Sequence, residues 1–409
     1  MKILWISSIA WKKNGEYPYP VNGAGAVSGS LFQQSMIEGL EKLGHTVDII
    51  SDYPYAAGCN IHSQIYWSHN NVASNISVKT IDIPYLSLFY KANSLKKAVF
   101  HNVKNNEYDL AIAYLIHQPY LKAIIYAKQV SRKIKTVLIC PDLPDMMDMS
   151  LSQKKVKAFF KKIDKQRISK LYKKMDGFVL FAKPMLEKIN VGTSKYIVIE
   201  GIASVDDLDI SSVEKETFIM YAGTLHRNIG IENIIDSLNY IEDKSVKLKL
   251  YGTGELEKYI KNKAMQDPRI IYGGFIDRKS LFEEQKKALA LVNARNSKDA
   301  YTKYSFPSKT FEYLYSGTPF VTTKLEGVPS EYSEYLYEIE DDSPQSIAKM
   351  INKILELDDK TLRESGFHAR EFIQTNKNKE RQSELLSSYL QTIIQNVEAA
   401  CEEKNTLCI

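Results

Sequence analysis

Short apolar runs and amphipathic stretches alternate along the chain. KILWISS at the amino end gives way to helical periodicity from about Ser28 to Leu43, and then come TVDIIS, LAIAYL at 110–115, TVLICP at 136–141 and GFVLFA at 177–182. Runs this short, apolar on successive positions, predict strands buried on both faces, the signature of a parallel sheet covered by helices. The pattern returns in TFIMYAG, VKLKLYG, IIYGG, ALALVNA and TPFVTT, with VIEGIA at 198–203 closing the first half. An α/β fold of two Rossmann-like domains in tandem follows, with a cleft expected between the carboxyl ends of their strands. The expected division is 1–205, 206–385 and a helix with its tail at 386–409. The polar, acidic ASVDDLDISSVEKE (203–216) suits a hinge, and a last long helix is expected over about Lys379–Glu402.

Composition narrows this picture. A chain of 409 residues exceeds one comfortable core, which also favours two domains. No run of about 18 apolar residues occurs, and MKILWISSIAW reads as a first strand, so the protein is expected to stay in the cytoplasm. Cys59, Cys140, Cys401 and Cys408 lack ligand spacing, which argues against a disulfide framework or a zinc site. The net charge of +5 hides an asymmetry: residues 151–175 carry nine Lys, Arg167 and only Asp164, a local +9 that leaves −4 for the rest. Val156, Phe159, Phe160, Ile163 and Leu171 recur near helical spacing there, predicting a basic amphipathic helix. Such a helix either lies on anionic lipid through 154–174, making the protein peripheral on the inner face of the membrane, or packs its stripe on its own domain. Nucleic acid is not an expected partner, since the basic cluster is confined to one segment without a recognised motif.

The chemistry concentrates in YSFPSKTFEYLYSGTPFV, Tyr304–Val321. Phe306 and Pro307 end an extended segment, and Ser308 can cap a helix carrying Lys309 in its first turn and Glu312 in the next. Free backbone N–H groups and the positive end of the helix dipole attract a phosphate, Lys309 adds a point charge, and a carboxylate at Glu312 can accept two hydrogen bonds from a ribose diol. Ser316-Gly317-Thr318-Pro319 then stops the helix. The alternative is a capped amphipathic helix with Glu312 on a solvated face.

This stretch resembles the donor-binding signature of retaining glycosyltransferases of the GT-B fold, in the large family that builds bacterial polysaccharides. The resemblance lies with the branch carrying Phe-Pro-Ser-Lys, Glu-Tyr and Ser-Gly-x-Pro. It implies a hexosyltransferase using a nucleotide-diphosphate sugar, expected to be a UDP-sugar, with a glycan or lipid-linked saccharide as acceptor. It implies also that the last helix runs back onto the first domain. Many members carry two glutamates eight residues apart, addressing donor sugar and ribose. Glu312 matches the second; the first falls on Tyr304, so the usual sugar-contacting carboxylate is absent.

Other candidates are read beside this signature. Gly23, Gly25 and Gly29, with Asp52 at the end of the second strand, suggest a dinucleotide site, but the loop from Ile9 to Asn22 separates those glycines from the first strand. By resemblance Gly25 lies in a glycine-rich loop near donor phosphates or acceptor; otherwise the loop is a turn into a helix. Gly223-Thr224 follows TFIMYA where relatives place Gly-Arg, and Ile229 stands where they place a lysine before glycine, so the usual diphosphate clamp is missing. Arg227, Arg295 and Lys309 are the cations available instead. Gly252 and Gly254 form a strand-to-helix turn, and Tyr272 lies in a segment that relatives hold near the base. His117, after LAIAYLI, is a candidate to bond the donor sugar or steady the departing phosphate, and Asp142 and Asp145 to touch the acceptor hydroxyl, or all three are loop residues. The expected catalytic set is His117, Lys309 and Arg295. DLD at 207–209 falls in the acidic linker, so no metal and no cofactor are expected. Two rivals remain: a sugar-nucleotide epimerase on the same fold, and a non-catalytic nucleotide- or glycan-binding subunit.

Overall fold

Lys2–Ser8 form strand β1, and its Ile3, Leu4, Trp5 and Ile6 are fully buried on alternate faces. That burial follows from its central place: β1 pairs in parallel with β2 (Thr46–Asp52) on one side and β7 (Leu110–Tyr114) on the other. The computed structural model describes residues 1–11, 27–52, 61–81, 87–143, 166–205 and 207–405, with backbone alone at 27, 28 and 396–405. The chain divides into two units, Met1–Ile202 with Lys379–Ile409, and Ala203–Asn378.

The sheet of unit 1 has eight strands in the order β10-β9-β8-β7-β1-β2-β5-β4. β8 spans Lys135–Cys140, β9 Gly177–Leu180 and β10 Lys195–Val198, and all these pairings are parallel. β5 (Asn75–Ser77) joins β2 in parallel, and the edge strand β4 (Ile65–Trp67) is antiparallel to it. A separate antiparallel pair joins β3 (Ile61–His62) to β6 (Thr80–Ile81). Helices Val27–Lys42, Ser87–Asn105 and Gln118–Val130 belong to this unit.

Helix Lys379–Asn405 completes the core of unit 1: Leu386, Tyr389, Leu390 and Ile393 join Trp5, Met36, Ile37 and Val179 in one cluster. Gly177 makes room for it, since a Cβ there would lie 2.5 Å from the Tyr389 hydroxyl and 2.2 Å from Ile393. That hydroxyl accepts from the Phe178 N–H at 2.8 Å and donates to the Lys195 carbonyl at 2.8 Å, tying the helix to β9 and β10.

Unit 2 holds six parallel strands in the order β13-β12-β11-β14-β15-β16. They are β11 (Phe218–Ala222), β12 (Lys247–Tyr251), β13 (Ile270–Gly274), β14 (Ala290–Asn293), β15 (Phe320–Thr323) and β16 (Tyr337–Ile339). The two-residue period of a strand divides the core. Ile219, Tyr221, Leu248, Leu250, Val292 and Val321 pack with helices Ile231–Ser237 and Pro344–Leu355. Phe218, Met220, Ala222, Leu291 and Phe320 pack instead with Arg278–Lys287, Lys309–Ser316 and Asp359–Asn376.

Two sequence expectations change. The 203–216 stretch is not a free polar linker, because Ala203, Val205 and Leu208 are buried in the core of unit 2 and Ala203 N–H bonds the Lys377 carbonyl at 2.8 Å. The strand read at 198–203 lies at Lys195–Val198, and Ile199 and Ala203 are buried from non-strand backbone. Of the basic segment, 151–165 falls outside the described residues. Over 166–175 Ile168, Tyr172 and Met175 are buried in their own unit while Arg167, Lys170, Lys173 and Lys174 are exposed. Among the described residues no helix is long and apolar enough to cross a membrane.

Tyr389→Phe tests the helix anchor. It leaves the buried Phe178 N–H and Lys195 carbonyl without their partner, a loss of about 1 to 3 kcal/mol. The expected outcome is a melting temperature lower by several degrees in thermal denaturation; an unchanged melting curve refutes the anchor.

Candidate functional site

In unit 2 the strand order reverses at β11, which stands between β12 and β14. Connections leave in opposite directions there, so a crevice opens outside the strand ends, the usual ligand position in open α/β sheets. β11 runs into Gly223-Thr224-Leu225 and β14 into Ala294-Arg295.

Gly223 has φ +143°, and a Cβ there would stand 1.6 Å from Lys309 Nζ. The space a side chain would fill is occupied by the ammonium. Lys309 opens helix Lys309–Ser316 and sets its charge 5.2 Å from the centroid of the Tyr221 ring. Part of its side chain stays accessible, but protein crowds the ammonium. Burial and, secondarily, the Arg295 charge bring its pKa down from 10.5 to about 8, against the opposing pull of Glu312. Among the described residues the ammonium has no hydrogen bond and no carboxylate within ion-pair distance. Arg295 is similar: its Nε is buried without a hydrogen-bond partner. Two neighbouring cations thus stand uncompensated at the switch point.

Helix Lys309–Ser316 is held to β11 by Tyr313, whose hydroxyl accepts from Ala222 N–H at 3.0 Å and lies 3.3 Å from the Ala222 carbonyl. Gly317, at φ +71°, ends the helix. Ser308 does not cap it: its backbone is already helical, its side chain makes no capping bond, and it is exposed. The first turn is closed by backbone, with Thr310 N–H bonding the Pro307 carbonyl at 2.9 Å and Phe311 N–H the Ser308 carbonyl at 3.3 Å. Fewer backbone N–H groups are therefore free at this helix start than the sequence suggests. Glu312 is mostly buried, its oxygens accepting from Gln285 Nε2 at 2.9 Å and Arg278 Nε at 3.2 Å. Tyr304, where relatives carry a carboxylate, is buried.

The glycines after β12 serve loop packing. A Cβ on Gly252 (φ +124°) would lie 1.8 Å from the Gly223 carbonyl oxygen, and one on Gly254 2.4 Å from that of Leu225. The β11 and β12 exit loops lie backbone to backbone, joined by Leu225 N–H to the Thr253 carbonyl at 3.0 Å. Tyr272 donates its hydroxyl to the Gly252 carbonyl at 3.0 Å, bracing the same loop. Thr224 is exposed, and its carbonyl accepts from the Tyr221 hydroxyl at 3.0 Å. Arg227 departs from expectation: it is exposed and paired with Glu232 at 3.6 Å, so it is no uncompensated cation.

In unit 1, β7 is followed by Leu115, which at φ +83° is the one non-glycine residue with positive φ among those described. Its carbonyl accepts from His117 N–H at 2.9 Å, a tight and costly turn that sets His117 before helix Gln118–Val130. Burial and then the Lys91 charge push the His117 pKa down to about 4, against the pull of Asp52. The imidazole is neutral at physiological pH, so it can exchange a hydrogen bond but brings no charge to a phosphate. Asp52 is buried, engaged by the Tyr120 hydroxyl at 2.9 Å and by Lys91. Asp142 is exposed just beyond β8. Gly23, Gly25 and Asp145 lie outside the described residues.

Sequence reasoning missed Arg278, Gln285, Tyr221 and Tyr313. Asp207 and Asp209, the DLD pair, are taken up locally, Asp207 by Arg278 at 3.0 Å and Asp209 by the Ser211 hydroxyl at 2.7 Å.

Residues 207–372 match the family described as "Glycosyl transferases group 1". No curated protein matches the sequence. Among solved structures, a sucrose-phosphate synthase from Thermosynechococcus elongatus superposes with TM-score 0.69 at 15% identity, over 97% of this chain and 100% of that one. The lipopolysaccharide outer core galactosyltransferase WaaB, in its apo form, gives 0.67 at 13%, over 96% and 99%. Anabaena Alr3699/HepE in complex with UDP gives 0.63 at 13%, over 96% and 100%. The chain has the GT-B fold of two Rossmann-like domains, with the glycosyl transferases group 1 match lying in unit 2.

Proposed function

We propose that the protein is a hexosyltransferase that moves a sugar from a nucleotide-diphosphate donor, of the UDP-sugar class, to a hydroxyl of a glycan or lipid-linked saccharide with retention of configuration. The observation that carries this reading is the pair Lys309 and Arg295, two crowded cations without acid partners at the strand ends of a glycosyltransferase group 1 domain. Such a pair suits a diphosphate and no neutral ligand. Glu312, one turn beyond Lys309, has the acceptor capacity for a ribose diol. The complexes of HepE with UDP, and with UDP and glucose, support the donor class by likeness of fold. His117 and Asp142 are assigned to sugar and acceptor, His117 as a neutral hydrogen-bonding group.

In the proposed reaction the acceptor oxygen bonds to the anomeric carbon as the bond from that carbon to the β-phosphate oxygen breaks. The departing phosphate takes the acceptor's proton on the same face, so products are a glycoside and a nucleoside diphosphate. Lys309 and Arg295 stabilise the charge that grows on that phosphate.

Glu312→Gln is expected to weaken nucleotide-sugar binding about 10- to 100-fold without altering the melting temperature, since charge-assisted bonds are worth about 1.5 to 3 kcal/mol. Calorimetry showing unchanged affinity refutes the ribose assignment.

Lys309→Ala and Arg295→Ala are each expected to lower affinity for UDP more than for uridine; equal losses assign them to structure. The diphosphate favours the protonated Lys309. UDP affinity of the native protein should therefore hold below pH 8 and fall as pH rises through about 8, where the free ammonium loses its proton. Lys309→Ala should abolish that dependence.

Cationic side chains take the part a metal plays elsewhere, so turnover is expected to persist in EDTA. Loss of turnover that manganese restores overturns this arrangement.

A further inference from the structure

We infer that Arg278 is a positioning residue that sets the ribose selectivity of the site by fixing the carboxylate plane of Glu312. The inference rests on the donor reading above and deepens it.

Arg278 and Gln285 lie two turns apart on helix Arg278–Lys287, hence on one face. They address the same carboxylate from that face, Gln285 Nε2 donating to Oε1 at 2.9 Å and Arg278 Nε to Oε2 at 3.2 Å. Between them Phe282 packs against Tyr315 with ring centroids 5.8 Å apart, so the two helices are locked together by their core side chains. A carboxylate held at both oxygens cannot rotate about its last bond, yet each oxygen has a second lone pair, and these share the plane the first two define. Two adjacent hydroxyls of a ribose can use both at once.

The two donors are anchored differently. Gln285 is fully buried and its backbone carbonyl accepts from the Thr318 hydroxyl at 2.8 Å. Arg278 is half-exposed and spreads its guanidinium over three acceptors: Glu312, the Asp207 carboxylate at 3.0 Å and the Ser204 carbonyl. Asp207 and Ser204 sit in the 203–209 stretch, which Val205 and Leu208 fix to the core of unit 2. A rigid planar fork satisfied by three partners holds one orientation, which a lysine cannot reproduce. Asp277 caps this helix by accepting from Lys279 and Ser280 N–H, each at 3.1 Å, so the backbone under Arg278 is also set.

The test compares UDP with 2′-deoxy-UDP in titration calorimetry on the full chain. Native protein should bind UDP at least 10-fold more tightly than its 2′-deoxy form. In Arg278→Ala that ratio should fall to about 2, because a swinging carboxylate loses the paired geometry, and Arg278→Lys should fall close to it. A uniform loss of affinity for both ligands with the ratio intact makes Arg278 merely structural and overturns the inference alone. A native ratio near 1 overturns it together with the ribose role of Glu312. Absence of UDP binding by the native protein removes the donor reading and the inference with it.

Discussion

The structure of unit 2 is organised around a cation placed where a side chain of residue 223 would be. Lys309 Nζ fills the space beside Gly223, so the residue after β11 must be glycine, and the helix that begins at Lys309 delivers the ammonium to that space. Tyr313 then fixes the helix to the strand end by both polar groups of Ala222. Gly252 is needed one loop further on for the same reason, since the β11 exit loop lies against it. A chain of close approaches, each lacking room for a Cβ, thus leads from the sheet edge to the ammonium.

Unit 1 answers with the opposite electrostatic choice. Its strand-end histidine stands on a strained turn at Leu115 and is kept neutral, while the charges beneath it, Asp52 and Lys91, neutralise one another. Backbone strain of this kind persists only where surrounding structure over-determines it. The helix starting at Gln118, with Pro119 in its first turn and Tyr120 bonded to Asp52, supplies that surrounding structure.

What could be read from sequence follows the same physics. Strands such as Lys2–Ser8 and Phe218–Ala222 were legible because burial on both faces leaves an unbroken apolar run. The glycosyltransferase domain was legible in FPSK and the glutamate beyond it, since a helix start, a cation and a carboxylate must keep fixed spacing there. β3 to β6 and β16 were not, being two or three residues long, too short for any period. The capping role expected of Ser308 failed because Pro307 offers its carbonyl first. Arg278 and Gln285 were invisible because their meaning lies in a carboxylate on another helix, 34 and 27 positions away in sequence.

The buried ammonium also explains why such a site costs the fold something when empty. A lysine whose folded pKa lies below its unfolded value opposes folding while both states are protonated, that is below about pH 8, and the opposition fades as pH rises toward 10.5. At neutral pH the cost is therefore fully present. Unit 2 carries it on a core in which two separate hydrophobic clusters cover both faces of six parallel strands. Under the proposed function, a diphosphate arriving between Lys309 and Arg295 would remove the repulsion and restore the lysine's proton affinity, so part of the affinity for that ligand would be stored beforehand as unrelieved charge in the protein. Side chains already oriented need no reorganisation when negative charge grows on a departing phosphate, which is why a strained, uncompensated arrangement can be retained where a salt bridge would be more stable.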